Sequence, residues 1–83
     1  MYYVYAIYSE LYDMIYIGYT SDLEARLAAH NHPKNKGWTR RYQPWRLVYT
    51  EEHPTKQSAI RRERELKGHK GRDFIREQIG GKG

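Results

Sequence analysis

No cysteine occurs in the 83 residues, which excludes disulfides and thiolate metal sites. No apolar run approaches the ~20 residues a membrane-spanning helix needs. The N-terminus has neither the basic flank nor the apolar stretch of a signal peptide. A soluble, cytoplasmic protein with no membrane partner is the expectation. Acidic residues are the scarcer charge: 10 Asp and Glu against 15 Lys and Arg give a net charge of +5. A basic chain rich in aromatics suits a polyanion such as nucleic acid. The plainer reading is a solvated basic surface. A chain of this length makes one domain with a small core. There is no internal repeat, low-complexity run or linker. The domain is expected over residues 1–79, with residues 80–83 as a flexible tail.

Phenylalanine is nearly absent as well, occurring once against nine tyrosines. A ring buried for packing alone would usually be Phe, so the excess suggests hydroxyls with partners or ring faces offered to a ligand. The tyrosines concentrate in two short β-branched and aromatic runs, Tyr2 to Tyr8 and Met14 to Tyr19, separated by polar residues. That is the pattern of a β-hairpin. With Glu10 to Asp13 as the loop, Ser9 lies opposite Met14, Tyr5 opposite Gly18 and Ile7 opposite Tyr16. Tyr5 and Tyr16 then share one face, whereas a slip of one residue would separate them. Gly18 marks a bulge or a close approach to the backbone.

Thr20, Ser21 and Asp22 offer N-cap side chains, and Ser21 with Glu24 has capping-box spacing. A helix is expected from about Asp22 to His30, stopped by Pro33. Leu23 and Leu27 form its inward stripe, with Arg26 and His30 beside them, one turn apart. An arginine there either lays its stem on apolar surface or points across the hairpin at an anion. Pro33 to Pro44 reads as a basic loop in which Lys34, Lys36, Arg40 and Arg41 surround Trp38 and Tyr42. Basic groups among aromatics suit phosphate contact and base stacking; the alternative is a surface loop with Trp38 packed onto the core. A third strand, Trp45 to Thr50, ends at Glu51–Pro54. Thr55 or Ser58 caps a very polar helix running to Lys67. Its apolar positions are Ala59, Ile60 and Leu66, and Glu63 falls on the same arc. A buried carboxylate must pair, collect hydrogen bonds or bind a cation, and Lys67 stands one turn on. After a break at Gly68 to Gly71, a helix from about Arg72 to Ile79 closes the core with Phe74, Ile75 and Ile79. The four histidines show no tight ligand pattern, and most read as surface residues.

Tyr5, Tyr16, Arg26, His30 and Glu63 are thus polar groups expected to face inward and to meet in one cleft. A lone carboxylate suits Mg²⁺, which retains waters and takes substrate phosphate, and does not suit structural zinc.

Read in order, Tyr3-Val4-Tyr5, Tyr16-Ile17-Gly18, Thr20-x-Asp22-Leu23-x-x-Arg26-x-x-x-His30 and Arg62-Glu63-x-x-Leu66-Lys67 resemble the GIY-YIG endonuclease domain, in its small stand-alone bacterial members. The match runs from Tyr3 to Lys67, with Tyr3 standing where the family name has glycine. The resemblance implies an α/β (α+β) sandwich, a small three-stranded, mainly antiparallel sheet flanked by helices in the order ββαβαα. It implies a divalent-metal-dependent endonuclease hydrolysing DNA phosphodiester bonds with Mg²⁺ or Mn²⁺. Tyr5 would take a proton from the attacking water, and Tyr16 would position water or phosphate. Arg26 would stabilise charge on the phosphate, and Glu63 would hold the metal. His30 would bind or transfer a proton, Gly18 would permit close packing, and Lys67 would support the site. Arg26 and the cation would favour phenolate at Tyr5. DNA is preferred over RNA as the partner, with room for a protein partner in targeting. The runner-up is a non-catalytic nucleic-acid-binding module using Trp38, Arg40 and Arg41. A third reading is a scaffold in which Arg26 and Glu63 form a structural ion pair.

Overall fold

The computed structural model describes residues 1–80, so residues 81–83 of the expected tail lie outside the described residues. β1 (Tyr2–Ser9) and β2 (Met14–Thr20) form the hairpin, followed by α1 (Leu23–His30) and a short 3-10 helix (Trp38–Tyr42). β3 (Arg46–His53), α2 (Lys56–Lys67) and α3 (His69–Gly80) complete the described chain. The sheet is antiparallel in the order β2-β1-β3, which leaves β2 at an edge. No helix among the described residues is long and apolar enough to cross a membrane.

The hairpin has the expected register, with Ser9 opposite Met14, Tyr5 opposite Gly18 and Ile7 opposite Tyr16. Alternation along the strands then builds two cores. Val4, Ala6, Ile15 and Ile17 face one side and pack with Ala59, Leu66 and Ile75 of α2 and α3. Tyr5 and Ile7 face the other and pack with Trp45, Met14, Tyr16, Leu23, Leu27 and Tyr42. Ile75 is fully buried; burying such a side chain is worth ~1.5–3 kcal/mol, and it anchors α3 as the closing helix.

Several expectations are corrected. The cap of α1 is Asp22, whose carboxylate accepts from Ala25 N, rather than Ser21. Thr20 instead receives the Asp22 N–H at 3.0 Å. β3 starts after Trp45 and continues to His53. Trp45 lies in the second core, with its Nε1 donating to the Thr39 carbonyl at 2.7 Å. The polar end of β3 stays in the sheet because Glu51 accepts from Tyr49, from Arg62 Nε at 2.9 Å and from His53 Nε2 at 2.7 Å. His53 is therefore part of a network rather than a free surface residue. An irregularity between Ala6 and Ile7 leaves Val48 without a β1 partner, since Ala6 pairs with Tyr49 and Ile7 with Leu47. The simple alternation of β3 is broken there, and Val48 and Tyr49 both reach the first core.

The expected break from Gly68 to Gly71 shrinks to Gly68, and α3 begins at His69. Gly71 is inside the helix because α3 leaves α2 at close range there. α3 runs through Gly80, the last of the described residues.

Candidate active site

The hairpin face expected to hold Tyr5 and Tyr16 does so, with ring centroids 6.3 Å apart. Gly18 follows on the same face of β2. A Cβ there would stand 2.8 Å from Tyr5 Oη and 3.1 Å from Tyr16 Cε1, so only glycine leaves room for both rings. Tyr5 is 1% exposed.

α1 delivers its last residue, His30, into the same core. Its Nε2 meets Tyr5 Oη at 2.8 Å and its Nδ1 meets Thr39 Oγ1 at 2.9 Å. Thr39 Oγ1 also accepts from Asn35 Nδ2 at 2.8 Å. The basic loop is thus tied to the site by a buried threonine on the 3-10 helix. Nothing in the residues around Thr39 marks it in the sequence.

Arg26 projects into a cleft of about 460 Å³ whose walls include Tyr16, Gly18, Tyr19, Lys56 and Glu63. The cleft wraps the edge of β2. Tyr16 and Gly18 belong to the Tyr5 side of the sheet, whereas Tyr19 and the helix carrying Glu63 belong to the other. A second cleft, of about 370 Å³, shares Tyr16 and Arg26 with the first and adds His30, Asn35, Trp38 and Thr39. The Glu63 side chain is 16% exposed and meets Lys67 Nζ at 3.3 Å. Arg26 takes part in no ion pair among the described residues, and the Arg26–Glu63 pair of the scaffold reading is not formed.

Lys56, on the cleft wall, escaped the sequence reading. It stands seven residues before Glu63, nearly two full helical turns, and that spacing was the available signal. Lys67, one turn after Glu63, points its ammonium at that carboxylate. Lys34, Lys36, Arg40 and Arg41 are exposed, and neither cleft includes them in its walls. Trp38 does wall the second cleft while remaining 46% exposed.

The electrostatics of Tyr5 differ from expectation. Its phenol is held well above the ordinary range, first by burial and then by neighbouring Tyr16. Arg26 pulls the other way and is outweighed; Glu63 adds to the rise. Among the protein groups, Tyr5 is therefore a neutral phenol, because removing the charged form from water costs more than one nearby cation returns. His30 is lowered, by burial first and by Arg26 second, and is a neutral imidazole at neutral pH.

This has a consequence for stability. The unfolded chain takes up the His30 proton near the ordinary ~6.5, above the folded value. Stability from this residue is fully present above ~6.5 and is lost as pH falls from there toward the folded pKa. Melting followed by circular dichroism should show a midpoint that falls between about pH 7.5 and 5. The fall should be smaller in His30→Gln; an identical slope in both proteins would remove His30 from the account.

A single carboxylate at the wall of a cleft that also holds an unpaired guanidinium fits a hard cation retaining waters and phosphate oxygens. No group of three His, Cys, Asp or Glu side chains that could cage a metal exists among the described residues.

Comparison with known proteins shows the family and the fold. Residues 1–76 match the model of the GIY-YIG catalytic domain. A UPF0213 protein of Staphylococcus haemolyticus is 45% identical over 53 residues, covering 64% of this chain and 65% of that protein. One from Streptococcus sanguinis is 46% identical over 46 residues, covering 55% and 53%. The chain thus spans less than two thirds of the length of these relatives. The solution NMR structure of a UPF0213 protein from Bacillus halodurans superimposes with a TM-score of 0.56 at 33% identity, covering 98% of this chain and 88% of that one. With the family pattern matched from the first strand into the closing helix, and the fold shared with that structure, this chain belongs to the GIY-YIG catalytic-domain family, a family of nucleases.

Proposed function

We propose that the protein is a divalent-metal-dependent endonuclease that hydrolyses DNA phosphodiester bonds at the cleft around the edge of β2. The observation that carries this reading is the guanidinium of Arg26, which forms no ion pair among the described residues and shares one cleft with Glu63 and Tyr16. Arg26 presents two parallel donors to a phosphate, a geometry lysine lacks. Glu63 supplies the carboxylate that would hold Mg²⁺ or Mn²⁺, with Lys67 fixing its side chain. When bound, such a cation acts as a Lewis acid on the phosphate oxygens.

Water must lose a proton as its oxygen bonds to phosphorus and the ester bond on the opposite side breaks. Tyr5, as a buried neutral phenol, is a poor base by itself. Its hydroxyl is 2.8 Å from His30 Nε2, so Tyr5 can pass its proton to the neutral imidazole while receiving one from water. Thr39 and Asn35 orient that imidazole from its other nitrogen. Gly18 lies on the cleft wall, where a Cβ would stand 2.8 Å from Tyr5 Oη and screen the phenol from the cleft. Tyr16 lines both clefts and is placed to position water or phosphate.

The test is cleavage of labelled single-stranded, duplex and branched DNA with Mg²⁺, Mn²⁺ or EDTA. The wild type is expected to cut only with metal. Glu63→Gln and Tyr5→Phe should lose roughly 10²–10³ in rate while still folding and binding DNA. Metal-independent cutting, or full activity in Glu63→Gln, would remove the metal role. DNA binding with no cutting by any form would favour the binding-module reading, which the exposed Trp38 also supports.

A further inference from the structure

Beyond the two clefts, the aromatic side chains continue outward. Trp38 lies 6.2 Å from Tyr16, the two rings tilted by 31°. Tyr42 follows at 4.8 Å from Trp38, and Tyr12 of the hairpin loop at 5.4 Å from Tyr42. Trp38 and Tyr12 are 46% and 52% exposed. Packing does not require so many rings on one surface, and exposed tryptophan is costly unless a partner covers it. The segment beneath them, residues 31–45, holds Lys34, Lys36, Arg40 and Arg41 and no acidic residue. The carboxylates close to Tyr12 are already engaged: Glu10 with Arg46 at 2.7 Å, and Asp13 with Arg76 and Tyr8 at 2.8 Å.

We infer that the cleft lined by Tyr16 and Trp38 takes an unpaired nucleobase next to the phosphate held by Arg26, and that Trp38, Tyr42 and Tyr12 form a stacking track for single-stranded DNA. The inference rests on the proposed position of phosphate at Arg26. The cleft, about 370 Å³, is large enough for a base, and Arg26 is a wall of both clefts, so one nucleotide can span them. A base inside a duplex has both faces stacked on neighbours and cannot lie against Trp38. An unpaired base can, and every base has a face to offer.

Apart from the Tyr16 hydroxyl and from Arg26, which is given to the phosphate, the polar side chains lining this cleft are already engaged. Asn35 Nδ2 donates to the His30 carbonyl and to Thr39, and Asn35 Oδ1 accepts from Gly37 N. Both His30 nitrogens are engaged as well. The site therefore selects strandedness through stacking rather than base identity through hydrogen bonds.

The experiment is fluorescence anisotropy in EDTA, with a short fluorescein-labelled oligothymidylate and the same strand annealed to its complement. The wild type should bind the single strand more tightly. Trp38→Ala should weaken single-strand binding by about ten-fold or more and shrink its advantage over duplex, whereas Trp38→Phe, which keeps a ring and guards against misfolding, should retain most of it. Equal affinity of wild type for both forms, or an unchanged single-strand advantage in Trp38→Ala, would overturn the inference. Tighter binding of oligouridylate than of oligothymidylate would overturn the choice of DNA. Failure of the nuclease reading is separable: Trp38-dependent strand binding without any metal-dependent cutting would leave the track standing. Duplex cutting indifferent to Trp38 would do the reverse.

Discussion

Arg26→Ala is expected to lower the single-turnover rate of the proposed DNA cleavage by about 10²–10³ and to change the melting temperature little. The two halves of this expectation have separate grounds. Arg26 is exposed, forms no ion pair among the described residues, and sits on the rim of α1 rather than in a core, so the fold loses little with it. Its guanidinium nonetheless walls both clefts, next to Tyr16 in each. A group that stabilises charge developing on phosphate acts most strongly in the transition state, so its loss falls on rate more than on binding. Arg26→Lys should recover only a small part, because an ammonium cannot place two parallel donors on one phosphate. Loss of a few-fold only in Arg26→Ala, or full rescue by lysine, would assign the arginine to general electrostatic attraction instead.

Gly71→Ala should be strongly destabilising although it lies outside the site. Two effects compete. In an exposed helix interior, alanine is favoured over glycine by ~1 kcal/mol. Here a Cβ would stand 2.3 Å from Leu66 Cα and 2.5 Å from the carbonyl oxygens of Glu65 and Leu66. All of these are backbone atoms, so no side chain can swing aside, and α3 must move off α2. Overpacking of this kind costs ~1–3 kcal/mol and occasionally more, and contact with backbone puts Gly71 at the upper end. For a domain of this size ~3 kcal/mol is a drop of roughly 12 °C or more in melting temperature. Circular dichroism melts of the two proteins give the comparison, and an unchanged or raised midpoint in Gly71→Ala would mean that helix propensity wins over the overlap.

Gly71 also illustrates a limit of reading the sequence. Glycine beside Gly68 and ahead of a helical pattern reads as a break, since local propensity is all that the sequence displays. Its actual role is the approach of two helices whose contact atoms are distant from any pattern. The bulge opposite Ala6 and Ile7 has the same character, because it becomes visible only once β3 is paired. The hairpin was legible for the opposite reason: alternation, loop length and β-branched runs act between neighbours in the chain, and together they imposed the register that brings Tyr5 opposite Gly18. Capping and the polar helix to Lys67 were legible on the same grounds, apart from the choice of Asp22 over Ser21.

The sequence by itself determined the strands and helices, the shared face of Tyr5 and Tyr16, the place of Glu63 on a core-facing arc and the family pattern. Local spacing carries each of these. Tertiary structure alone decided how the groups meet. Glu63 comes from a helix that packs on the face of the sheet opposite Tyr5, and it reaches the cleft only because β2 is the edge strand and Gly18 has no side chain. The burial that raises the Tyr5 phenol, the His30–Thr39 tie and the approach of Trp38 to Tyr16 arise from contacts between separate segments. Desolvation and charge depend on three-dimensional neighbours, and no spacing in the chain encodes them.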